Sequence, residues 1–300
     1  MESITESASD RDREWHPQSS LLTPADDLMG IASTRRADGS VDARMAPLPR
    51  CVDDSGDIAA GALFVLADVV LGQASVRRLP PDRFIVTTNL HLDVVARPTL
   101  TGGDIRGTGR VDAVDEFGVM ASAELVDRAG KLIAVTTGRF AVVAHDSRDA
   151  GTMTTPDTAV PRGLRPAESS LAARAADRIP VHAMLGLGPL ETEGPEFRFA
   201  IDARPEFSNG RGGVHGGIGA LIGEQAAGHA LLRTLPPESR MRPVEIRACF
   251  LRPLEAGGAP FACTAEVLHA GRRLAATSAR VSTPDGRPAV LVDVLHAPVS

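Results

Sequence analysis

The feature that most constrains this chain is that it repeats itself. The stretch SGDIAAGALFVLADVVLGQASVRRLPP, ending at Pro81, lies over RGGVHGGIGALIGEQAAGHALLRTLPP, ending at Pro237. That register puts Gly61 under Gly217, Asp68 under Glu224, Gly72 under Gly228, and Leu79-Pro80-Pro81 under Leu235-Pro236-Pro237, every pair 156 positions apart as from 61 to 217. Upstream the same offset pairs Gly30 with Gly186 and Pro49 with Pro205. Downstream, after a slip of one residue, RPTLTGG from Arg97 lies over RPLEAGG from Arg252. Chance matches do not hold one register over such a length, so the fold must be one that can be built twice from a single unit.

Each copy starts with a short apolar segment ending in glycine (DDLMGI, HAMLGL), followed by a strand and then a glycine-started apolar stretch of about five helical turns. Alternating segments follow: RFIVTTNLHLDVVARP, IRGTGRVDAVDE, VMASAELVDRAG and LIAVTTGRFAVV in the first copy, and MRPVEIRACFLRP, APFACTAEVLH, RLAATSARVSTPDG and PAVLVDVLHAP in the second. Period-two alternation with turn residues between, as at Pro284-Asp285-Gly286, predicts antiparallel hairpins. One long helix against a curled antiparallel sheet is an α+β layer arrangement. Residues 145–168 lack apolar periodicity and are rich in Pro, Thr, Gly and charge, which predicts a linker between units at 23–144 and 169–300. Residues 1–22 are polar and acidic and are predicted to be a disordered tail.

Composition excludes several classes. No window approaches 18 consecutive apolar residues, so no membrane span is expected, and the amino terminus lacks the basic start and apolar centre of a secretory signal. The chain is therefore predicted to be cytosolic. Cys51, Cys249 and Cys263 are an odd number without CxxC spacing, suggesting neither a disulfide framework nor a zinc cluster, and no cofactor or metal is expected. A net charge of −6 argues against a nucleic-acid partner, which needs a positive field to displace counterions.

The segment from Asn209 to Gly217, N-x5-H-G-G, runs into a helix carrying a carboxylate nine residues after the histidine, and strands with an RP turn follow. This combination resembles the hotdog fold, in particular the PaaI-like acyl-CoA thioesterases. Both halves resemble it, so the resemblance implies a tandem double hotdog, two long central helices each wrapped by a curled antiparallel sheet. The second copy carries the motif in full. The first carries it in part, with Asp53 and Ala59 in the places of Asn209 and His215.

Within one copy, Gly217 and Glu224 are about 10 Å apart along a helix axis and cannot touch one substrate carbon. Gly61, Val65, Asp68 and Gly72 share one face of the first helix, and Gly217, Leu221, Glu224 and Gly228 share the matching face of the second. Small and apolar apart from its carboxylate, that face suits close helix packing. The resemblance implies antiparallel helices, which would set Asp68 opposite Gly217 and Glu224 opposite Gly61. It also implies a Ser or Thr ten residues before the RP proline, which is Thr88 in the first copy and Pro243 in the second. One composite site then holds Asp68, Thr88, Asn209, His215, Gly216 and Gly217, while the Glu224 site is degenerate.

In such a site the N–H of Gly217 at a helix start would polarise a thioester carbonyl. Asp68 would act as base or nucleophile, Thr88 would orient water or the carboxylate, and Asn209 with His215 would fix the loop and the thioester. Read alone, Gly210–Gly217 is more often a plain loop, and it matches neither the dinucleotide fingerprint nor the phosphate-binding loop. An isolated histidine is usually structural, and Arg77, Arg78, Arg97, Arg233 and Arg252 are more readily solvated charges than holders of coenzyme A phosphates. His91, His182 and His229 have no informative spacing. The leading expectation is an acyl-CoA thioesterase that takes acyl-CoA as its partner, with a pseudo-dimer within one chain and room for further homo-oligomers. The alternative is a non-catalytic acyl-CoA binder or regulator. An enoyl-CoA hydratase of the same fold needs an Asp/His pair on the helix face that this chain lacks.

Overall fold

The computed structural model describes residues 23–36, 40–144, 179–190 and 196–299 of the 300. The tail expected at 1–22 and the linker expected at 145–168 lie outside the described residues. Helix α1 (Pro24–Leu28) opens on Thr23, whose side chain accepts from the Asp26 N–H while the Asp26 carboxylate accepts from the Thr23 N–H. This reciprocal capping box satisfies two helix-end donors at once. Gly30 then takes a positive φ of 64°, which a side chain would resist, and leads into strands β1 (Ile31–Arg35) and β2 (Val41–Met45). Helix α2 (Ala62–Val76) and strands β3 (Arg83–Val94), β4 (Ile105–Asp115), β5 (Gly118–Val126) and β6 (Leu132–Ala144) complete the first half.

The second half follows the same plan. Helix α3 (Pro180–Leu185) ends at Gly186, again at φ 64°, followed by β7 (Gly188–Leu190), β8 (Phe197–Ile201), helix α4 (Gly216–Thr234) and strands β9 (Met241–Phe250), β10 (Phe261–Ala270), β11 (Ala275–Ser282) and β12 (Pro288–Pro298). Two strands precede each long helix where one was expected from the sequence.

All twelve strands join one antiparallel sheet in the order β1-β2-β4-β5-β6-β3-β9-β12-β11-β10-β8-β7. Outward from the centre, each half runs through its strands in the same sequence. The curled sheets expected around the two helices are continuous with each other, because β3 and β9 pair edge to edge, Asn89 through Asp93 opposite Cys249 through Glu245. An unpaired edge exposes a row of N–H and C=O groups, and here each half covers the other's.

The two long helices pack on this sheet and on each other. Helix α2 is apolar nearly all round, and twelve of its fifteen residues are buried, as expected for a helix enclosed on every side. Helix α4 holds five glycines, each costing about 1 kcal/mol relative to alanine in a helix. Its close contacts explain three of them. A Cβ at Gly219 would stand 3.1 Å from Val290, one at Gly223 would stand 2.5 Å from Val292, and one at Gly217 would stand 2.7 Å from the Val65 backbone nitrogen. The missing side chains let β12 and α2 approach the helix backbone.

Each short helix docks on the opposite half. The Ala25 N–H donates to the Ser208 carbonyl at 3.1 Å, and 156 residues later the Val181 N–H donates to the Val52 carbonyl at 3.0 Å. Through this exchange α1 reaches the glycine loop of the second half, and α3 that of the first.

Candidate active site

Asp68 sits in the middle of α2, 9% exposed, and faces the start of α4. Its Oδ2 accepts from the Gly217 N–H at 3.2 Å, and its Oδ1 accepts from the Thr87 hydroxyl at 2.8 Å. His215 caps α4, its Nδ1 accepting from the same Gly217 N–H at 3.2 Å and lying 3.4 Å from Asp68 Oδ2. A Cβ on Gly216 would fall 2.7 Å from Asp68 Oδ2, so the carboxylate reaches this corner only because residue 216 has no side chain. The structure thus brings together Asp68, His215, Gly216 and Gly217 from the two halves.

Two expected members are placed elsewhere. The Thr88 hydroxyl donates to the Arg139 carbonyl at 2.9 Å, and the hydroxyl that reaches Asp68 is that of Thr87. The cause is a β-bulge: Thr87 pairs with Phe140 and Asn89 with Arg139, leaving Thr88 as the extra residue. The same bulge recurs in β9, where Pro243 and Glu245 pair with His296 and Leu295 and skip Val244. Pro243 is thus the counterpart of Thr87, and the second corner lacks the hydroxyl. Asn209 holds its own loop, its side-chain Oδ1 accepting from the Arg211 N–H at 2.9 Å and its N–H donating to the Gly213 carbonyl at 2.8 Å.

A second carboxylate, which the sequence did not single out, also reaches this site. Asp26 of α1 is 1% exposed, and its Oδ1 lies 3.7 Å from His215 Nε2. Burial raises its carboxyl above the usual carboxylate range, with the His215 ring opposing that shift. The sequence did carry a signal: Thr23-Pro24-Ala25-Asp26 is a capping box, and the repeat offset sets Asp26 under His182.

The corner built around Glu224 has the same outline and different chemistry. Glu224 is 2% exposed, and its Oε2 lies 2.6 Å from where a Cβ on Gly61 would stand, so Gly61 has to be bare. The carboxylate accepts from Gln225 Nε2 at 2.7 Å, and Gln225 Oε1 contacts His182 Nε2 at 3.1 Å. Burial above all, then the charges of Asp53 and Asp54, push the Glu224 carboxyl up to about 8, while burial and His229 lower His182 to about 4. At neutral pH this corner holds a protonated acid beside an uncharged imidazole, a poor base.

This has a consequence for stability. A carboxyl whose folded value lies above its unfolded one binds more protons folded, so its contribution is complete below about 4.5 and is lost as pH rises through about 8. Thermal denaturation between pH 5 and 8 is expected to show that decline, and Glu224→Gln to flatten it. An equal slope in both proteins would contradict the assignment.

The arginines considered for coenzyme A are partly engaged. Arg97 pairs with Asp57, and Arg252 donates to the Pro288 carbonyl at 2.7 Å. One group among the described residues could hold a metal ion: His91, Asp93 and Glu245, on the β3–β9 seam. There Arg247 already lies 2.5 Å from Glu245 Oε1. A cavity of about 410 Å³ lies between α1 and α3, lined by Leu28, Arg50, Met184, Arg204 and Phe207 among others; neither Asp68 nor Glu224 lines it. No helix among the described residues is long and apolar enough to cross a membrane.

Residues 203–297 match a family model described as acyl-CoA thioesterase N-terminal domain. No curated protein sequence matches the chain. Among solved structures, the tesB protein of Mycobacterium avium subspecies paratuberculosis is similar at TM-score 0.61 and 12% identity, covering 93% of this chain and 100% of that one. Acyl-CoA thioesterase II of Mycobacterium marinum is similar at TM-score 0.57 and 12% identity, covering 92% and 96%. A conserved protein of Alicyclobacillus acidocaldarius described as having a hot dog fold is similar at TM-score 0.54 and 12% identity, covering 93% and 99%. The chain has the hotdog fold.

Proposed function

We propose that this protein is an acyl-CoA thioesterase of PaaI-like type, a tandem double hotdog with units at 23–144 and 169–300 that act as a pseudo-dimer within one chain. The reading is carried by one observation: the Asp68 carboxylate of one half meets the Gly217 N–H and His215 of the other at 3.2 and 3.4 Å. The family match over residues 203–297 supports it.

The chemistry follows from these groups. A thioester carbonyl that develops negative charge needs a donor fixed in advance, and a bare N–H at a helix start is one, assisted by the helix dipole. In the structure that N–H is held by Asp68, so substrate exchanges one acceptor for another: the carbonyl oxygen takes the Gly217 donor and frees an Asp68 lone pair. Asp68 then delivers electrons to the carbonyl carbon, through water or directly, with Thr87 orienting the carboxylate through its bond to Oδ1. Acting through water, Asp68 takes a water proton as the water oxygen bonds to the carbonyl carbon and passes it to sulfur as the C–S bond breaks. Attacking directly, it forms an anhydride as the thiolate leaves, and water then hydrolyses that anhydride and supplies the thiolate with its proton. Either route releases the free acid and coenzyme A as the thiol. Gly216 keeps the path between carboxylate and carbonyl open, and Asn209 holds the loop in shape. The Glu224 corner, with Ala59 in place of the capping histidine, no hydroxyl and a protonated acid, binds or packs and does not turn over.

A panel of acyl-CoAs of differing chain length tests this by release of free thiol. The wild type is expected to hydrolyse part of the panel, and Glu224→Gln to retain most of that rate. Binding without thiol release would favour the second reading, a non-catalytic acyl-CoA binder, which the occupied Gly217 donor supports. Hydration of an added enoyl-CoA would point instead to a hydratase.

A further inference from the structure

The Asp68 corner contains a carboxylate with no role in the steps above. Asp26 is as buried as the core, yet its two oxygens are used unequally. Oδ2 accepts from the Thr23 N–H at 2.9 Å in the capping box, whereas Oδ1 has no hydrogen-bond partner among the described residues. A lone pair buried without a donor is costly, on the order of 1–3 kcal/mol, and calls for a reason. The side chain facing it is His215, with Nε2 at 3.7 Å.

The state of His215 can be read from its other nitrogen. Nδ1 accepts from the Gly217 N–H at 3.2 Å, so in the neutral ring Nδ1 carries the lone pair and Nε2 the proton. That nitrogen is the one 3.7 Å from the unused oxygen of Asp26. With Nδ1 also 3.4 Å from Asp68 Oδ2, the ring stands between two carboxylates, one on each side. A neutral histidine has two tautomers, and which one forms is decided by the partner of the distal nitrogen.

We infer that Asp26 is a positioning residue that holds His215 in its Nε2–H tautomer, keeping the Nδ1 lone pair turned towards the Gly217 N–H and Asp68. The opposite tautomer would aim an N–H at Asp68 Oδ2, occupying the lone pair that the reaction requires. The contact spans the halves because α1 docks on the second half through the Ala25 bond to Ser208, while the His215 N–H is fixed by the Phe207 carbonyl at 2.7 Å next door. The second corner has neither member of this pair. There His182 stands at the Asp26 position and contacts Gln225, and Ala59 stands at the His215 position. The inference rests on the thioester-hydrolase reading for its catalytic consequence, and on geometry alone for the tautomer.

Asp26→Asn tests it with little risk to the fold. The asparagine oxygen can keep the Thr23 N–H, preserving the capping box, while the amide NH2 replaces Oδ1 and donates to Nε2. Long-range nitrogen NMR of the His215 ring is expected to show the Nε2–H tautomer in the wild type and the Nδ1–H tautomer in Asp26→Asn. The same tautomer in both overturns the inference, whatever the protein hydrolyses. On an acyl-CoA that the wild type cleaves, kcat is expected to fall about 100-fold with KM and melting temperature close to wild type. In a His215→Ala background the same substitution is expected to cost nothing further, since Asp26 acts through the ring. An equal loss in both backgrounds would mean that Asp26 only supports structure. A tautomer change in a protein that hydrolyses nothing would leave the inference standing and sink the thioesterase reading.

Discussion

Asp68→Asn is expected to reduce kcat/KM for acyl-CoA hydrolysis by about 10²–10⁴-fold, a barrier increase of roughly 3–5 kcal/mol. The substitution is nearly isosteric. Asparagine Oδ1 can still accept the Gly217 N–H, and its amide fits the space now held at 3.2 Å from Gly217 and 2.8 Å from Thr87. What disappears is the charge that supplies electrons to the carbonyl carbon or to water. Melting temperature and circular dichroism should therefore stay near wild type while thiol release collapses. A variant that kept most of its rate would show that the reaction does not use this carboxylate. A larger loss in Glu224→Gln would place the live site at the other corner.

The second large effect is on stability. Gly217→Ala is expected to destabilise the fold by about 3 kcal/mol or more, because the added methyl would lie 2.7 Å from the Val65 nitrogen and 2.8 Å from the Phe64 carbonyl oxygen. These are backbone atoms, which cannot turn aside as a long side chain can. Relief requires moving α4 away from α2, which would also open the Asp68 contact. At this chain length the melting temperature should fall by roughly 6–12 °C. Gly228→Ala on the same helix is the control: nothing lies within 4 Å of its added methyl, and replacing a helical glycine there should stabilise by about 0.4–1 kcal/mol. If thermal denaturation gave the two variants similar melting temperatures, the helix crossing described above would be wrong.

Much of this was legible because the repeat does the work that a second sequence would do. Asp68 and Glu224 recur at matched places on apolar helices, and the glycines at 61 and 217 recur seven residues earlier; with the antiparallel helices that the hotdog resemblance implies, each carboxylate is expected opposite the other helix's bare start. The misses have separate physical causes. Counting ten residues back from Pro98 lands on Thr88, but the bulge in β3 makes Thr88 the unpaired residue and leaves Thr87 bonded to the carboxylate. The bulge shifts the buried positions of β3 from Ile85 before it to Leu90, Leu92 and Val94 after it, and a count of residues back from Pro98 takes no account of that shift. Asp26 was missed for a different reason. Its approach to His215 depends on α1 crossing to the other half through the Ala25 bond to Ser208, a contact between segments far apart in the chain. The joining of two expected sheets through β3 and β9 is likewise a long-range pairing, set by which edges are left open and not by local alternation.

The central claim is that one reactive centre lies between the carboxylate of the first half and the histidine-bearing helix start of the second. A crystal structure with a non-hydrolysable acyl-CoA analogue, its sulfur replaced by a methylene group, tests this most directly. The account expects the analogue's carbonyl oxygen on the Gly217 N–H, with Asp68 displaced from that donor and within reach of the carbonyl carbon. An analogue whose carbonyl lay against Gly61 and Glu224, or out of reach of Asp68 altogether, would contradict it.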